Sequence, residues 1–374
     1  MKLKNLILYG LIFLFIASCG KKGEERIKIG VIMPLTGPVA EPGNLALDGI
    51  RLAVDDFNSS NTKHIELIIE DSKSNPTDGV SAMNKLVSAD NIKIVIGDIM
   101  SSVFLAISPI AERNKIVAIS PGASNPKVRD AGDYIFRDYT SDNFDGYAMA
   151  NYLYKKLGKR FVAVINVNDD YGVGVKTVFI DYFKKMGGNI IINENYPKGE
   201  TNFRNLIIKL KNKNIDALYV VGNPTENGYM IKQLKELNIK IPITGNLSFE
   251  NNDFLKIAKG AFDSVIYSTP YFDINSNKSY VQKFVKLYQE KFNREPDIAV
   301  GLGYDVANIL IKVLNENNYD ISKVKDGLYM IKNYEGVTGN TTFDNKGDVE
   351  KDIEIKKIYG NGSIETLEVY NVEK

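Results

Sequence analysis

The sequence has few of the residues on which most enzymes depend. Among its 374 residues there is one histidine, His64, one cysteine, Cys19, and no tryptophan. A single histidine excludes metal sites built from several histidines and argues against Ser-His or Cys-His nucleophiles. No Gly-x-Ser-x-Gly nucleophile elbow is present either. We therefore expect a protein that is not an enzyme and that uses neither a metal ion nor another cofactor.

The chain also lacks an excess or a block of charge of one sign. Its 47 lysines and arginines balance 46 aspartates and glutamates, and the formal net charge is +1. Nucleic-acid-binding proteins usually carry clustered basic residues. We therefore expect no nucleic-acid partner.

The first twenty residues contain the strongest single signal in the chain. Lys2 and Lys4 precede an apolar run from Leu6 to Ile16, and Ala17-Ser18-Cys19-Gly20 follows. A positive start, a short apolar stretch and small residues are typical of a secretory signal. The run is shorter than the roughly 20 apolar residues that span a bilayer. Residues 1–18 are therefore predicted to be a lipoprotein signal peptide.

The lone cysteine fits the same prediction. Cys19 has no partner for an intramolecular disulfide, and a free thiol outside the cell would be reactive. We expect Cys19 to carry a lipid and residues 19–26 to form a tether, which places the protein outside the cytoplasm, anchored to the cell membrane or the outer membrane. The alternative is a buried structural cysteine.

The rest of the chain is predicted to form two α/β domains. It is longer than the roughly 250–300 residues at which single cores divide. Short β-branched runs alternate with segments of helical period, and this pattern restarts after Asp138. We predict two doubly wound, Rossmann-like lobes, of which residues 27–140 with 272–349 form lobe 1 and residues 141–271 with 350–374 form lobe 2.

The absence of a long linker suggests that the chain crosses between the lobes more than once. Candidate crossovers are 138–142, 268–273 and a stretch between 343 and 351, which together would make a three-strand hinge over a cleft. The runs Ile353–Tyr359 and Ile364–Tyr370 are predicted to form a closing hairpin around Gly360-Asn361-Gly362.

Two loops of lobe 1 combine glycine with hydroxyl residues directly after predicted strands. They are 97–102, which contains Ser101 and Ser102, and 120–126, which contains Ser124. Ligands of doubly wound sheets bind at the carboxyl ends of the strands. Free backbone amides and serine hydroxyls would seat an anion such as a carboxylate there. The alternative is that these serines only cap helices.

These motifs, taken in order, resemble those of a known protein family. The chain resembles the periplasmic leucine/isoleucine/valine-binding proteins, the type I periplasmic binding proteins that serve ABC transporters, over essentially all of its mature length. The stretches that carry the resemblance are Ile29–Pro38, Gly97–Pro109, Ile119–Pro126, Asp169–Gly172, Gly303–Asp305 and Tyr334–Gly339.

The resemblance implies a set of ligand-binding residues. Ser101 corresponds to the serine that binds the α-carboxylate of the ligand. Gly122 and Ser124 correspond to residues that contact the α-ammonium and the carboxylate, and Tyr171 corresponds to an aromatic residue that closes over the ligand. The alternative for Tyr171 is a packing role at its turn. The prediction of ligand-binding residues also includes Ser102, Ala123, Asn223 and Leu247.

The chain departs from the family pattern in the second lobe. Leu247 stands where many members have an acid that pairs with the ligand's ammonium, and an unpaired buried ammonium costs several kcal/mol. Either Glu250 or Glu226 replaces that acid, or the ligand has no ammonium. Rings that the family often has are also missing, and the residues in their places are Pro42, Asn223, Pro224 and Ala299.

The resemblance therefore implies a monomeric lipoprotein that captures a small solute by hinge closure and delivers it to a membrane ABC permease. The expected ligand is an amino acid of the branched-chain type or a related carboxylate. Two alternatives stay open. One is a ligand-sensing receptor of the same fold, and the other is a binding protein for an amide or an aromatic acid.

Overall fold

The computed structural model describes residues 26–371. The predicted signal peptide, Cys19 and all of the tether except Arg26 lie outside the described residues. The strands are β1 (Arg26–Met33), β2 (His64–Asp71), β3 (Ile94–Ile96), β4 (Val117–Ser120), β5 (Ile135–Arg137), β6 (Phe161–Val167), β7 (Asn189–Tyr196), β8 (Ala217–Val221), β9 (Ile243–Asn246), β10 (Ser264–Pro270), β11 (Tyr334–Gly336), β12 (Gly339–Thr341), β13 (Ile353–Tyr359) and β14 (Ile364–Tyr370).

Helices connect most of these strands. They are α1 (Ala40–Ser60), α2 (Pro76–Ser88), α3 (Ser101–Arg113), α4 (Asp142–Asn151), α5 (Asp170–Lys185), α6 (Arg204–Leu210), α7 (Pro224–Glu236), α8 (Asn252–Ile257), α9 (Ser279–Phe292), α10 (Ile298–Glu316) and α11 (Val324–Tyr329).

Two sheets divide the chain into two lobes. The first sheet has the order β2-β1-β3-β4-β5, and all its strands are parallel. The second has the order β14-β13-β10-β9-β8-β6-β7, with a parallel centre and an antiparallel edge formed by β13 and β14. We call the part of the chain around the first sheet lobe 1 and the part around the second sheet lobe 2. The outer boundaries of the lobes stay a prediction.

The central strands are apolar because helices cover both faces of each sheet. In β1, every residue from Ile29 to Met33 is buried, with side chains alternating between two hydrophobic clusters on opposite faces of the sheet. The corresponding strand of lobe 2, β6, is buried throughout except at Phe161. These strands fix the sheet edges from which the loops of the cleft start.

Helix α10 is the central helix of lobe 1. By length and composition it could cross a membrane, but 78% of its apolar window is buried inside the protein, as in a core helix. It packs against α1 at very short distance, because a Cβ atom on Gly49 would lie 1.9 Å from the carbonyl oxygen of Val300. Only glycine allows such an approach.

Three crossings of the chain join the lobes and form the hinge, which we define as residues 138–141, 271–273 and 343–352. The hydroxyl of Thr140 accepts a hydrogen bond from the amide of Lys351 (2.7 Å) and donates one to its carbonyl (3.0 Å). The amide of Tyr271 donates to the carbonyl of Asp352 at 3.0 Å. These bonds tie the three crossings to one another.

Candidate functional site

A cavity of about 160 Å³ lies between the two lobes. Its walls come from the loops that follow β1, β3, β4 and β5 in lobe 1 and β6, β8 and β9 in lobe 2, together with the start of α10. All of these loops leave the carboxyl ends of strands, where ligands of doubly wound sheets bind. A larger pocket of about 1020 Å³, lined by residues such as Arg129, Lys278 and Glu350, lies on the hinge side and shares no lining residue with the cavity.

Ser101 lies at the lobe 1 wall of this cavity. It is buried and is the first residue of α3, and the preceding Met100 gives the helix no side-chain cap. The hydroxyl oxygen of Ser101 accepts a hydrogen bond from the amide of Asn125 at 3.1 Å. Its own proton therefore stays available for a carboxylate, next to the uncapped first turn of a helix. Ser102 follows in the helix and does not line the cavity.

The loop after β4 supplies the neighbouring wall. The hydroxyl of Ser120 accepts hydrogen bonds from the amides of Gly122 (3.1 Å) and Ala123 (2.8 Å), which fixes the turn. Gly122 and Ser124 line the cavity, whereas Ala123 packs in the core of lobe 1. The carbonyl of Ala123 accepts from Arg137 at 3.2 Å, so both its backbone groups already have partners.

Tyr171 forms part of the lobe 2 wall. Asp169 caps α5 by accepting a hydrogen bond from the amide of Gly172 at 2.9 Å. The side chain of Tyr171 packs against both hydrophobic clusters of lobe 2, and its hydroxyl accepts a hydrogen bond from Asn246. The packing role that sequence reasoning left open is therefore present, and the ring lines the cavity as well.

Asn223 and Leu247 line the cavity, and so do Pro42, Pro224 and Ala299.

The two acids that could replace the missing acid at position 247 differ in location. Glu226 is buried away from the cavity, and its Oε1 accepts from the amide of Gly199 (2.9 Å) and from Asn223 (3.1 Å). Glu250 lines the cavity but accepts a hydrogen bond from the Tyr267 hydroxyl at 2.6 Å and lies 3.7 Å from the Lys356 ammonium.

Several contacts join the lobes across the cleft. The ammonium of Lys198, in lobe 2, donates to the carbonyl of Ser74 and lies 3.8 Å from the sulfur of Met100, both in lobe 1. Burial lowers the pKa of Lys198, and the carboxyls of Asp169, Glu226 and Asp98 raise it.

The other cross-lobe contacts are weaker or more exposed. The Asn125 side chain donates to the carbonyl of Asp170, and Asn252 donates to Glu41 at 3.0 Å. Lys127 and Asp170 form an exposed ion pair at 3.7 Å. Together with the Lys198 contacts, these bonds connect the two lobes across the cleft.

Sequence reasoning missed three groups near the cavity. Tyr139 and Asp297 line it, and Asp142 lies behind the wall next to Ser124. None of them follows a recognisable motif, because Tyr139 belongs to the hinge crossing, Asp142 begins α4 and Asp297 caps α10. Within residues 26–371, no group of three or more His, Cys, Asp or Glu side chains is placed to hold a metal ion.

Comparison with known proteins agrees with this geometry. The family of periplasmic binding proteins matches residues 26–361. The leucine-, isoleucine-, valine-, threonine- and alanine-binding protein of Pseudomonas aeruginosa is 27% identical over 334 residues, which cover 87% of this chain and 88% of that protein.

Solved structures are similar over almost the whole chain. A leucine binding protein from Thermotoga maritima has a TM-score of 0.88 at 28% identity, covering 93% of this chain and 99% of that one. The branched-chain amino acid transporter substrate binding protein of Streptococcus pneumoniae, solved in complex with isoleucine, has a TM-score of 0.85 at 27% identity, covering 92% and 99%.

These findings confirm the predicted resemblance, the type I periplasmic binding protein fold and the function of a substrate-binding protein of an ABC transporter, located outside the cytoplasm. With a family match that spans nearly every described residue, and with a ligand-sized cavity at the strand ends between two lobes, the chain belongs to the periplasmic binding protein family.

Proposed function

We propose that this protein binds an aliphatic α-amino acid in the cavity between its lobes and delivers it to a membrane ABC permease, as a monomer without catalytic activity. The observation that carries the proposal is the small cavity at the strand ends between the lobes. Its volume of about 160 Å³ is below the ~300–1,000 Å³ of pockets for drug-sized ligands. An amino acid suits this space better than a peptide derivative.

The chemistry of the walls supports the same ligand class. The Ser101 hydroxyl and the start of α3 suit a carboxylate, and the Gly122 carbonyl and the Ser124 hydroxyl suit an ammonium beside it. The remaining walls are largely apolar, with Val39, Ile99, Leu247 and Leu302 among them. An aliphatic side chain would bury its surface there, at about 25 cal/mol per Å².

The membrane anchor is part of the proposal. A lipid on Cys19 would hold the binding protein near its permease, and the signal in residues 1–18 supports export. Relatives are named as binding proteins, which supports the view that the chain captures its ligand without altering it.

A thermal-shift screen of the protein purified in detergent tests the ligand class. The panel contains the twenty amino acids, their amides and aromatic acids. Because a ligand that binds only the folded state stabilises it, leucine, isoleucine or valine in excess is expected to raise the melting temperature. A shift only with ligands that lack an α-ammonium would contradict the proposal, and so would no shift with any of them, which would favour the sensor alternative.

The proposed site also predicts the effect of removing one hydroxyl. We expect Ser124→Ala to weaken the binding of leucine about tenfold, since one charge-assisted hydrogen bond is lost. Isothermal titration calorimetry measures the effect. Ser88→Ala, which removes an exposed hydroxyl bonded to the Asn84 carbonyl, serves as the control. Equal affinities for the two variants would show that Ser124 does not contact the ligand.

A further inference from the structure

Two neighbouring acids, the buried Asp142 and the half-buried Asp145, lie behind the cavity wall. Asp142 and Asp145 belong to the first turn of α4. Asp142 is only 1% exposed, and its Oδ2 has no hydrogen-bond partner among the described residues. The same is true of Oδ1 of Asp145 and of the hydroxyl of Tyr219, whose side chain is fully buried. Unpartnered buried acceptors of this kind are costly and require an explanation.

Asp142 contacts Ser124, a residue of the cavity wall. The amide of Asp142 donates to the Ser124 carbonyl at 2.9 Å, and its carboxyl is hydrogen bonded with the Ser124 side chain. Ser124 lines the cavity. Two further wall residues, Tyr139 and Tyr171, lie close enough for the charge of Asp142 to raise their pKa values.

The cavity has no free acid at the position where the family usually has one. Leu247 is apolar, and Glu226 is bonded to Gly199 and Asn223 outside the cavity. Glu250 is already paired with Tyr267 and lies near Lys356. Two further acids line the cavity as helix caps: Asp169, whose Oδ1 accepts from the Gly172 amide and whose Oδ2 has no partner among the described residues, and Asp297, which accepts from the Ala299 amide. Asp142 differs from both because its carboxyl is bonded to Ser124 itself, so an ammonium beside Ser124 receives negative charge from that direction.

We propose that Asp142, acting through the hydroxyl of Ser124, supplies the negative charge that holds the α-ammonium of the ligand. The ionised carboxylate accepts the Ser124 proton, so the lone pairs of the Ser124 oxygen face the cavity and accept a hydrogen bond from the ammonium. The Gly122 carbonyl provides a second acceptor. Asp142 is thus a positioning residue, and this inference rests on the proposed function.

The groups around Asp142 determine how the affinity for the ligand depends on pH. Burial raises the pKa of Asp142 to about 8, Asp145 raises it as well, and the Ser124 hydrogen bond and Arg137 lower it. Burial also raises the pKa of Asp145 to about 6.

The tyrosines that face the pair do not titrate near neutral pH. Burial raises the pKa values of Tyr139, Tyr171 and Tyr219 well above their ordinary value, so these rings stay neutral. At pH 6 the empty site therefore holds a proton on Asp142, which binding of an ammonium releases. By linkage, affinity for an α-amino acid rises between pH 6 and pH 8.

Calorimetric titration with leucine and with 4-methylpentanoate, which is leucine without its ammonium, tests the assignment on the protein purified in detergent. Asp142→Asn is expected to weaken leucine binding at least tenfold and to leave 4-methylpentanoate binding unchanged or tighter. Asp181→Asn, an exposed change on α5, is expected to alter neither. Adding Leu247→Glu to Asp142→Asn is expected to restore leucine binding, because it returns a carboxylate from lobe 2.

The unaltered protein provides a measurement that does not depend on the folding of any variant. Its affinity for leucine is expected to rise severalfold from pH 6 to pH 8, with no such rise for 4-methylpentanoate. Equal losses for both ligands in Asp142→Asn, or a flat leucine profile in the unaltered protein, would overturn the assignment while leaving the proposed function intact. Failure of the unaltered protein to bind leucine, isoleucine or valine at any pH would instead contradict the proposed function, and the assignment with it.

Discussion

Replacing Lys351 by methionine is expected to lower the free energy of unfolding by about 3–5 kcal/mol, because it leaves a buried carboxylate without its cation. The ammonium of Lys351 lies 2.9 Å from Oδ1 of Asp138, and the two side chains are 1% and 0% exposed. It also donates to the hydroxyl of Thr338 at 3.1 Å. Methionine has a similar length but replaces neither interaction.

The position of this ion pair explains the size of the expected loss. Asp138 and Lys351 lie on different crossings of the hinge, so the pair joins segments far apart in sequence. A second acid, Asp305, lies close by. Burial raises its pKa to about 6, Lys351 lowers that pKa and Asp138 raises it. Without Lys351, both acids would face each other in the interior with no cation beside them.

Urea unfolding followed by circular dichroism measures the change. Lys346→Met is the matched control, since Lys346 and Asp130 form an ion pair at 3.5 Å with side chains 51% and 73% exposed. Such surface pairs contribute about 0–1 kcal/mol. Similar losses of stability in the two variants would contradict the role assigned to the buried pair.

Lys198→Met is expected to weaken leucine binding about ten- to a hundredfold. The Lys198 ammonium is the lobe 2 group that reaches the Ser74 carbonyl of lobe 1, and a hydrogen bond from a charged donor contributes about 1.5–3 kcal/mol. This bond exists only while the lobes are closed, so its loss favours the open form. The binding energy of the ligand must then close the lobes without it.

The carboxyls around Lys198 add to the effect. Asp98 is fully buried, and burial raises its pKa to about 7, while the Ser72 hydroxyl, the Met100 amide and Lys198 lower it. Burial likewise raises the pKa of Asp169, and Lys198 lowers it. Neutralising the lysine would bring these acids together in the closed form with no cation beside them.

Calorimetry with leucine and small-angle X-ray scattering with and without leucine measure the affinity and the degree of closure. Lys127→Met is the control, because its cross-lobe pair with Asp170 at 3.7 Å is exposed, with side chains 75% and 43% accessible. We expect the control to bind and close as the unaltered protein does. If Lys198→Met closes as fully and binds leucine as tightly as the unaltered protein, Lys198 does not stabilise the closed form.

Sequence patterns predicted most of the secondary structure where the signal is local. The closing hairpin forms from the predicted residues, Ile353–Tyr359 and Ile364–Tyr370, as β13 and β14. Its turn is specified by Gly360-Asn361-Gly362, in which Gly362 has a φ of 86°, a conformation that glycine adopts without strain.

The short strand at the edge of the first sheet, β5, was not predicted from the sequence. Strand β5 has only three residues, Ile135–Arg137, and pairs with β4 alone. Three residues give no period to detect, and its pairing depends on contacts across the sheet. Gly172 and Gly174 lie in the first turns of α5, where the Asp169 cap compensates for two poor helix formers.

Most of the residues that the resemblance implied for the ligand site do line the cavity, although their contacts with a ligand stay a prediction. Ser102 and Ala123 do not line it. Their neighbours in sequence do, because helix and turn geometry direct adjacent side chains to different sides. The family resemblance indicates which residues correspond to ligand-binding positions, but it does not give the direction in which each side chain points.

The sequence by itself determined the alternation of strands and helices, the two lobes, the hydroxyl-rich loops at the strand ends and the absence of an acid at Leu247. These features depend on local periodicity, turn residues and residue identity, all of which can be read along the chain. The tertiary structure alone decided that Glu226 lies outside the cavity, that Lys198 bridges the lobes and that Asp142 stands behind Ser124. Each of these depends on groups far apart in sequence, whose charges and hydrogen bonds act only over the few ångströms that folding and closure bring about.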